Sequence, residues 1–311
     1  MLFISILNYH NAAATAQCLN GLSTVCERLD FRIIVADHSA TSEIETITLG
    51  IPPTLAKRSE FYHRPSNPGF ARGHNGNFAV ARPQPEDIFL ILNNDVYFPD
   101  PLIFEDMIMH CAPRTILGSV ITRSSDGQIW FAGGHINRFT GDARPRKVRL
   151  SRAIVETDFL CGCCIMMRAE VFSALGGFDE TFFMYAEDLD FSVRAVRAGF
   201  RLRVINRALS HDVGGHLNGQ YSDVFLGENT KNRIICLERH QLGLPGIREA
   251  IFFGMYLIGR TIQLLMFSTS PIHQIGVVLS GYRAGWRRRA TLPLPMSEFK
   301  LSAPVNEVIQ T

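Results

Sequence analysis

"IFLILNND", residues 88–95, decides the fold, because five apolar residues run directly into three polar ones. An apolar run of this length is typical of a β-strand that is covered on both faces of its sheet. Similar runs stand at residues 2–7 (LFISIL) and 32–36 (RIIVA), with a shorter one at 60–63 (EFYH). Helical patterns separate these runs, and strands that alternate with helices predict parallel βαβ units and an α/β fold.

Polar residues follow the predicted strands, at Asn8, Asp37 and Asp95. Open α/β sheets bind ligands outside the carboxyl ends of their strands, so we expect a binding site there. The turn after the first strand has no glycine and the chain has no G-x-x-x-x-G-K-[ST] loop, which excludes the two common glycine-rich nucleotide motifs. Asp37 is predicted either to bind a nucleoside or to cap a turn. Asp95 is predicted either to hold Mg²⁺ or Mn²⁺ against a diphosphate or to cap a turn.

The composition narrows the class of protein. The chain has 311 residues, of which 46% are apolar and 19% charged, so it has a substantial core. A formal net charge of +2 argues against nucleic acid as a partner. Seven irregularly spaced cysteines and a start without a basic leader segment indicate a cytosolic protein. The cluster from Cys161 to Cys164 is interpreted as part of a buried strand, with a metal site as the alternative.

Five acids lie among aromatic residues in "FDETFFMYAEDLDFSVRAVRAGF", residues 178–200. The first two are expected to shape a turn, and Asp190 forms an i,i+4 pair with Arg194 on a helix that begins near residue 186. Glu187 and Asp188 remain, in the first turn of that helix. One of them is predicted to be a general base, and the alternative is an ordinary amphipathic helix with acids at its start.

Three further segments carry expectations. "NPGFARGHNGN", residues 67–77, holds glycines that let a backbone approach a ligand, or else is an ordinary loop. His211 ends a strand-like run and is either a metal ligand or a structural histidine. Residues 113–175 suggest mixed β structure, with a mobile excursion at 123–152.

The character of the chain changes after residue 240. Residues 250–267 form an apolar run of 18 residues, about 27 Å as a helix, which is shorter than the ~20 residues of a membrane span. We expect peripheral membrane contact through residues 250–289, as an amphipathic or re-entrant segment. Its arginines would face anionic headgroups; they are Arg283, Arg287, Arg288 and Arg289. A dimerisation helix or a flap over the core is the alternative.

Together these motifs resemble the family 2 inverting glycosyltransferases, within them the bacterial rhamnosyltransferase-like branch. The resemblance spans residues 2–240, and its most specific part is GGFDE-x-FF-x-Y-x-EDLD. It implies a GT-A (Rossmann-like) fold with a mixed central sheet. It also implies a nucleotide-binding half at 1–112, an acceptor and catalytic half at 113–240, and a C-terminal helical amphipathic segment at 241–311.

The resemblance also implies roles for individual residues. Asp188 matches the catalytic base and Glu187 would position it or the acceptor, with Gly162 and Tyr185 also touching the acceptor. Asp95 and His211 would bind Mn²⁺ or Mg²⁺. The donor would be bound by Asn8, Tyr9, Asp37, Ser39, Asn67, Gly69, Phe70, Arg72, Asn75, Asn94 and Asp95. This chain has His38 and Asn93 where the family often has Asn and Asp.

The implied activity is transfer of a sugar from dTDP-rhamnose or a UDP- or GDP-sugar. The acceptor would be a hydroxyl of a saccharide or of a polyprenyl-diphosphate-linked molecule, in cell-surface polysaccharide synthesis on the inner face of the cytoplasmic membrane. A glycoside hydrolase is the second hypothesis, although adjacent helical acids diverge too far to face each other across a sugar. A non-catalytic nucleotide-sugar-binding protein is the third. The oligomeric state is left open.

Overall fold

The computed structural model describes residues 1–212 and 221–289. The strands are β1 (Leu2–Asn8), β2 (Phe31–Asp37), β3 (Ser59–His63), β4 (Ile88–Leu92), β5 (Val96–Tyr97), β6 (Thr115–Arg123), β7 (Ile129–Phe131), β8 (Gly134–Ile136), β9 (Ala143–Pro145), β10 (Ile154–Glu156), β11 (Cys164–Arg168) and β12 (Arg201–His211). The helices are α1 (Ala12–Val25), α2 (Ile44–Leu49), α3 (Pro53–Ala56), α4 (Phe70–Ala81), α5 (Ile103–His110), α6 (Ala169–Ala174), α7 (Glu187–Arg197), α8 (Asp223–Arg239), α9 (Ile247–Ile251), α10 (Ile258–Phe267) and α11 (Pro271–Arg289). A π-helical turn, Phe252–Leu257, joins α9 to α10.

A mixed sheet forms the centre of the molecule, in the order β10-β12-β6-β11-β4-β1-β2-β3. The strands β1 to β4 are parallel, as predicted, and β11 runs antiparallel between β4 and β6. The carboxyl ends of β1, β2 and β4 therefore lie at the same edge as the amino end of β11. The α/β class and the four predicted strands are confirmed.

The middle of the chain differs in two places from the sequence-based expectation. The strand predicted over the cysteine cluster begins only at Cys164, and residues 161–163 form a turn. The segment 123–152 contains the ordered strands β7, β8 and β9, where a mobile excursion was expected. All seven cysteines are free, and no group of three or more metal-ligating side chains occurs within the described residues. Burial raises the pKa of Cys164 to about 12, which favours the interpretation of the cluster as core.

Helix α7 is held in place by a buried carboxylate, Asp190. Its oxygens accept hydrogen bonds from Arg194 (2.8 Å) and His240 (2.7 Å), and Arg239 lies 3.1 Å away. Burial alone would raise the pKa of Asp190, but the bond from His240 and the charge of Arg194 outweigh it and lower the pKa to about 2. The Arg194 pair was predicted from spacing. Arg239, at the end of α8, and His240, directly after it, lie about 50 residues further along the chain. They fix the orientation of α7.

The C-terminal helices pack onto α8. Gly281 of α11 lies against the backbone of α8, since a Cβ there would stand 2.4 Å from the oxygen of Gly227. The run Ile247–Phe267 is helical over 21 residues, longer than the 18 expected, and is long and apolar enough to cross a membrane by length and composition alone. Only 6% of its most apolar window is buried. The side chain of Arg289 and residues 290–311 lie outside the described residues.

Candidate active site

A cavity of about 560 Å³ opens at the carboxyl edge of the sheet. This size suits a nucleotide-sugar-sized ligand. Its lining includes most of the residues singled out in the sequence: Asn8, Tyr9, Asn67, Gly69, Phe70, Asn94, Asp95, Gly162, Tyr185, Glu187, Asp188 and His211. Residues from six separate parts of the chain thus meet in one place, because parallel strands end at one edge and α7 begins there.

Asp188 is aimed into this cavity by backbone hydrogen bonds. Its Oδ2 accepts from the amide of Gly162 at 2.9 Å, and its Oδ1 accepts from the amide of Leu189 at 2.8 Å. The neighbouring Glu187 is only 5% exposed, and its Oε2 has no hydrogen-bond partner. The turn of residues 161–163 therefore hydrogen-bonds one of the two candidate acids, while the other is buried with one carboxylate oxygen unpaired among the described residues.

The two acids differ in how readily they ionise. Burial, followed by the charge of Asp188, raises the pKa of Glu187 well above its usual range. Burial also raises the pKa of Asp188, but the bonds from Gly162 and Leu189 oppose it. Hydrogen bonds to a carboxylate favour its charged form. Asp188 is consequently the acid better suited to act as a base near neutral pH.

We expect Glu187→Gln to raise the thermal midpoint at pH 8 but not at pH 4. A carboxyl group with a raised pKa in the folded state contributes stability below its unfolded pKa and loses it as the pH rises through the folded pKa. Glutamine removes that loss. Each unit by which the pKa is raised corresponds to about 1.4 kcal/mol of unfolding free energy. For a protein of this size, each kcal/mol shifts the thermal midpoint by roughly 2–4 °C. Calorimetry of both proteins from pH 4 to 8 measures the difference. If the difference between the two thermal midpoints did not grow with pH, the pKa of Glu187 would not be raised by burial in the folded protein.

The turn that precedes α7 is strained. Tyr185 and Ala186 both have φ of 69°, a left-handed conformation that costs about 1–2 kcal/mol for each residue other than glycine. The Asn232 amide on α8 donates to the carbonyl oxygens of Met184 (2.8 Å) and Tyr185 (3.1 Å) and holds this turn. Nothing in the sequence near Asn232 marks it for this role. This left-handed turn leads directly into α7, whose first two residues, Glu187 and Asp188, line the cavity.

Asp95 and His211 meet in the same cavity. Asp95 Oδ1 lies 3.0 Å from His211 Nε2, and the amide nitrogen of Asn93 lies 3.2 Å from the same ring atom. Strands β5 and β12 pair antiparallel and bring these residues together. Among the described residues, buried His211 Nδ1 has no hydrogen-bond partner, and buried Asp95 Oδ1 has no contact of this kind besides the one with His211 Nε2. The predicted pair is thus adjacent, and its unsatisfied atoms are of the kind that a cation or a diphosphate would satisfy.

Asp37 and Ser39 do not line the cavity. Asp37 is 0% exposed, and its carboxylate accepts from Asn8 Nδ2 (2.9 Å), Ser39 N (3.1 Å) and Glu43 N (2.6 Å). Burial would raise the pKa of Asp37, but these bonds outweigh it and lower the pKa. Both carboxylate oxygens are occupied, so the turn-capping alternative describes Asp37 here. Asn8 lines the cavity, and its side chain is held by the same network.

The loop before α4 closely approaches the segment that leads into α7, at Phe183. Gly69 has φ of 86°, and a Cβ at this position would lie 2.1 Å from the oxygen of Phe183. Asn67 accepts from the amide of Gly69 at 2.9 Å, and the amide of Phe70 donates to Phe183 O at 2.8 Å. The glycine was predicted to allow close approach to a ligand. In this structure it allows close approach to another part of the protein.

We expect Gly69→Ala to destabilise the protein more than Gly176→Ala. Both glycines have positive φ, at 86° and 70°, but nothing lies within 4 Å of a Cβ at Gly176. Gly176→Ala should therefore cost only the backbone term of about 1–2 kcal/mol. Gly69→Ala adds a clash with a backbone carbonyl, so its free energy of unfolding should fall by at least about 1 kcal/mol more. Denaturant titration of both variants measures this, and equal losses would contradict the close approach.

Arg72 and Asn75 lie outside the cavity. Arg72 pairs with Glu180 at 3.0 Å and is 57% exposed on its side chain, while Asn75 bonds to the carbonyl of Phe178 at 2.9 Å. Both line a separate groove on the outer face of α4. Helical geometry explains this, because Phe70 and His74 lie one turn apart on the face of α4 toward the cavity, whereas Arg72 and Asn75 lie on another face.

The structure adds residues that the sequence did not single out as ligands. His38 lines the cavity, is 2% exposed, and neither ring nitrogen has a hydrogen-bond partner. Trp130 lies 5.8 Å from the His211 ring, and Phe225 of α8 packs on Tyr185 at 5.1 Å. Single aromatic residues far apart in the chain carry no pattern from which their convergence could be predicted.

Comparisons with known proteins agree with this geometry. The profile of "Glycosyl transferase family 2" matches residues 3–176, and that of "Glycosyl transferase family group 2" matches residues 90–297. N-acetylglucosaminyl-diphospho-decaprenol L-rhamnosyltransferase of Mycobacterium tuberculosis is 32% identical over 30% of this chain and 31% of its own. Rhamnosyltransferase WbbL of Escherichia coli strain K12 is 30% identical over 43% of this chain and 57% of its own. The chain thus covers between a third and just over half of these relatives.

Two solved structures share the fold at low identity. GalNAc-T7 with UDP, GalNAc and Mn²⁺ superposes with a TM-score of 0.60 at 11% identity, over 95% of this chain and 59% of its own. The mannosyltransferase PcManGT of Pyrobaculum calidifontis, with GDP-Man and Mn²⁺, gives 0.54 at 13% identity, over 93% and 86%. They confirm the GT-A fold. With a GT-A sheet, and with both family profiles matching more than half of its length, this chain belongs to glycosyltransferase family 2, as a rhamnosyltransferase-like member.

Proposed function

We propose that this protein is an inverting glycosyltransferase that moves a sugar from a nucleotide-sugar donor to an acceptor hydroxyl. One observation carries the proposal: Asp188, oriented by Gly162 N, shares a cavity with the Asp95–His211 pair. A direct displacement at the anomeric carbon needs one base for the acceptor proton and positive charge at the leaving diphosphate. Groups suited to these two tasks line the same cavity, which supports the proposal.

Asp188 is assigned the role of base. In the proposed reaction its free carboxylate lone pairs accept the proton of the attacking hydroxyl, while the oxygen of that hydroxyl forms the new bond and the nucleoside diphosphate leaves. Glu187, Tyr185 and Gly162 line the same wall and would contact the acceptor. No protein nucleophile is needed, so a single displacement inverts the anomeric centre.

Asp95 and His211 would suit a divalent cation. Carboxylate oxygen and imidazole nitrogen suit Mn²⁺ and Mg²⁺ to different degrees, and Asp95 Oδ1 and His211 Nε2 face each other at 3.0 Å in the cavity. When bound, such an ion neutralises charge on the diphosphate. Asp95 and His211 would hold it, with Asn93 beside them at 3.2 Å from the His211 ring.

The donor would occupy the side of the cavity formed by β1, β4 and the loop before α4. Tyr9 is 52% exposed there and offers a ring face, and His38 offers two free ring nitrogens. Burial lowers the pKa of His38, so its neutral form, with one donor and one acceptor, would meet a polar ligand. We propose dTDP-rhamnose as the first donor to test, because two relatives of this chain are rhamnosyltransferases by name.

We further propose that the enzyme works at the cytoplasmic face of a membrane, on a saccharide or lipid-linked acceptor. The helical run from Ile247 to Phe267 leaves an apolar surface uncovered, and α11 carries exposed arginines beside it. Apolar area with adjacent basic residues favours the surface of an anionic bilayer.

A donor screen tests the proposed function. Purified full-length protein with Mn²⁺ would be incubated with dTDP-, UDP- and GDP-sugars, with and without membrane lipid extract, and nucleoside diphosphate release followed. We expect release from one donor that depends on the extract. Binding of a donor without release in the presence of an acceptor-containing extract would instead identify a nucleotide-sugar-binding protein without catalytic activity. Sugar release without a nucleotide donor would indicate a hydrolase.

A further inference from the structure

The turn of residues 184–186 is held from a distant part of the chain. Asn232, in the middle of α8, donates from its amide nitrogen to the carbonyl oxygens of Met184 (2.8 Å) and Tyr185 (3.1 Å). No other hydrogen bond to either carbonyl oxygen occurs among the described residues. Tyr185 and Ala186 have left-handed φ, and a conformation of this kind persists only where its surroundings impose it. The contacts of Asn232 are placed to impose it.

Asn232 uses its donors and not its acceptor. The side chain is 0% exposed, and its Oδ1 has no hydrogen-bond partner in the part of the chain that the structure describes. Its Nδ2 serves both carbonyl oxygens of the turn and lies 3.5 Å from Glu228 Oε2. Leaving a buried amide oxygen unpaired is unfavourable. What the buried amide supplies to the structure is therefore donation to the turn.

Helix α11 fixes α8 beside Asn232. A Cβ at Gly285 of α11 would lie 2.9 Å from the backbone oxygen of Lys231 and 3.0 Å from the Cβ of Ile234. The two helices thus touch at a point that has no room for a side chain, and glycine permits the approach. Because Lys231 directly precedes Asn232, the position of α11 sets that of the Asn232 amide.

The turn brings Asp188 to the active-site cavity. Ala186 is the residue before α7, and Asp188 is the second residue of that helix. The bond from the amide of Gly162 to Asp188 Oδ2, at 2.9 Å, requires the start of α7 to stay in place. A displacement of about 1 Å can cost a hundredfold in rate where reacting groups have to be aligned. Loss of the donors on Asn232 would let the strained turn relax and would move this carboxylate.

We propose that Asn232 is a positioning residue for the base of the proposed reaction, and that α11 acts on the same base through α8. Asn232 does not line the active-site cavity. The series of contacts runs from Gly285 through α8 to the turn and from the turn to Asp188. This inference rests on the proposed glycosyl transfer, and it adds residues that control the rate without touching donor or acceptor. It gives the C-terminal segment a part in catalysis that its composition does not reveal.

Asn232→Asp tests the two donors with almost no change of shape. Its carboxylate has no hydrogen to donate and would face two carbonyl oxygens. We expect kcat to fall about tenfold to a hundredfold while the KM of the donor changes by less than about threefold, because the substrates do not touch this residue. The matched control is Asn229→Asp, three residues earlier on α8, where the side chain is half-buried and makes no hydrogen bond among the described residues.

Gly285→Ala tests the same series of contacts from its other end. The added methyl group would press on the backbone of α8 next to Asn232, and we expect kcat to fall at least about fivefold. Gly276→Ala is its control on the same helix, because nothing lies within 4 Å of a Cβ there, and its kcat should equal that of the wild type. An unchanged kcat in folded Gly285→Ala would overturn the part assigned to α11.

Hydrogen exchange measured by mass spectrometry examines the turn without requiring turnover. The amides of residues 184–190 should exchange faster in Asn232→Asp than in Asn229→Asp, in proteins whose thermal midpoints show that both are folded. Equal kcat in these two variants would overturn the proposal, as would a lower kcat in Asn232→Asp with unchanged exchange at the turn. Faster exchange at the turn in a protein that transfers no sugar from any donor would refute the proposed enzyme and leave the contact between Asn232 and the turn standing.

Discussion

Asp188→Asn is expected to lower the rate of sugar transfer by roughly 10²–10⁴-fold, the usual contribution of a general base. Asparagine has almost the same shape, and its side-chain oxygen can still accept from the amide of Gly162, now at 2.9 Å from Oδ2. The fold and the donor affinity should therefore persist while the proton acceptor is lost. Steady-state rates of nucleoside diphosphate release, together with calorimetric donor binding, measure the two effects separately.

Asp30→Asn is the control for this substitution. Asp30 is exposed in the turn before β2, at the amino edge of the sheet, and it does not line the active-site cavity. Its rate should match that of the wild type. If Asp188→Asn retained a comparable rate, Asp188 would not be the base, and the protein would be better explained as a binding protein or as an enzyme with a different base.

The second large effect is expected on removal of divalent cations. EDTA should abolish transfer, and Mn²⁺ or Mg²⁺ should restore it, because a Lewis acid at the leaving diphosphate supplies several kcal/mol and each ~1.4 kcal/mol is a factor of ten in rate. Asp95→Asn should require a higher concentration of cation, since only His211 would keep its ligand atom. Full activity in chelator would refute the role given to Asp95.

Binding of Mn²⁺ gives a measurement that is independent of turnover. Electron paramagnetic resonance of Mn²⁺ with a nucleoside diphosphate should show immobilised ion with wild type and with Asp30→Asn, and mainly free ion with Asp95→Asn. Immobilisation that is equal in all three proteins would show that the ion binds elsewhere. The two solved structures that share this fold contain Mn²⁺ bound to those proteins. At 11% and 13% identity they support only the fold of this chain.

Local pattern was sufficient for the first half of the fold. The strands at residues 2–8 and 88–92 occur where the apolar runs predicted them, because a strand buried on both faces needs a nearly unbroken apolar sequence. The turn at 161–163 was mistaken for strand, because small buried residues occur in both. Short strands β7, β8 and β9 were missed, since three residues are too few to show a period.

The sequence by itself determined the residue types of the candidate site and their position at strand ends and at the start of a helix. The predicted positions of Asp95 and His211 at strand ends and of Glu187 and Asp188 at a helix start agree with the structure, and their roles stay predictions. Their separation along the chain, from 95 to 211, hides every distance between them. Only the antiparallel pairing of β5 with β12, and the docking of α7 on α8, brought them to one cavity.

Only the tertiary structure decided which polar residues remain available to a ligand. Asp37 has the sequence signature of a binding residue, but three internal donors occupy its carboxylate. Glu187 and Asp188 are neighbouring acids, yet Asp188 accepts a hydrogen bond from Gly162, whereas Glu187 is buried with its Oε2 unpaired among the described residues. Whether a polar atom is satisfied depends on partners that are distant in the chain, and that information arises only when the chain has folded.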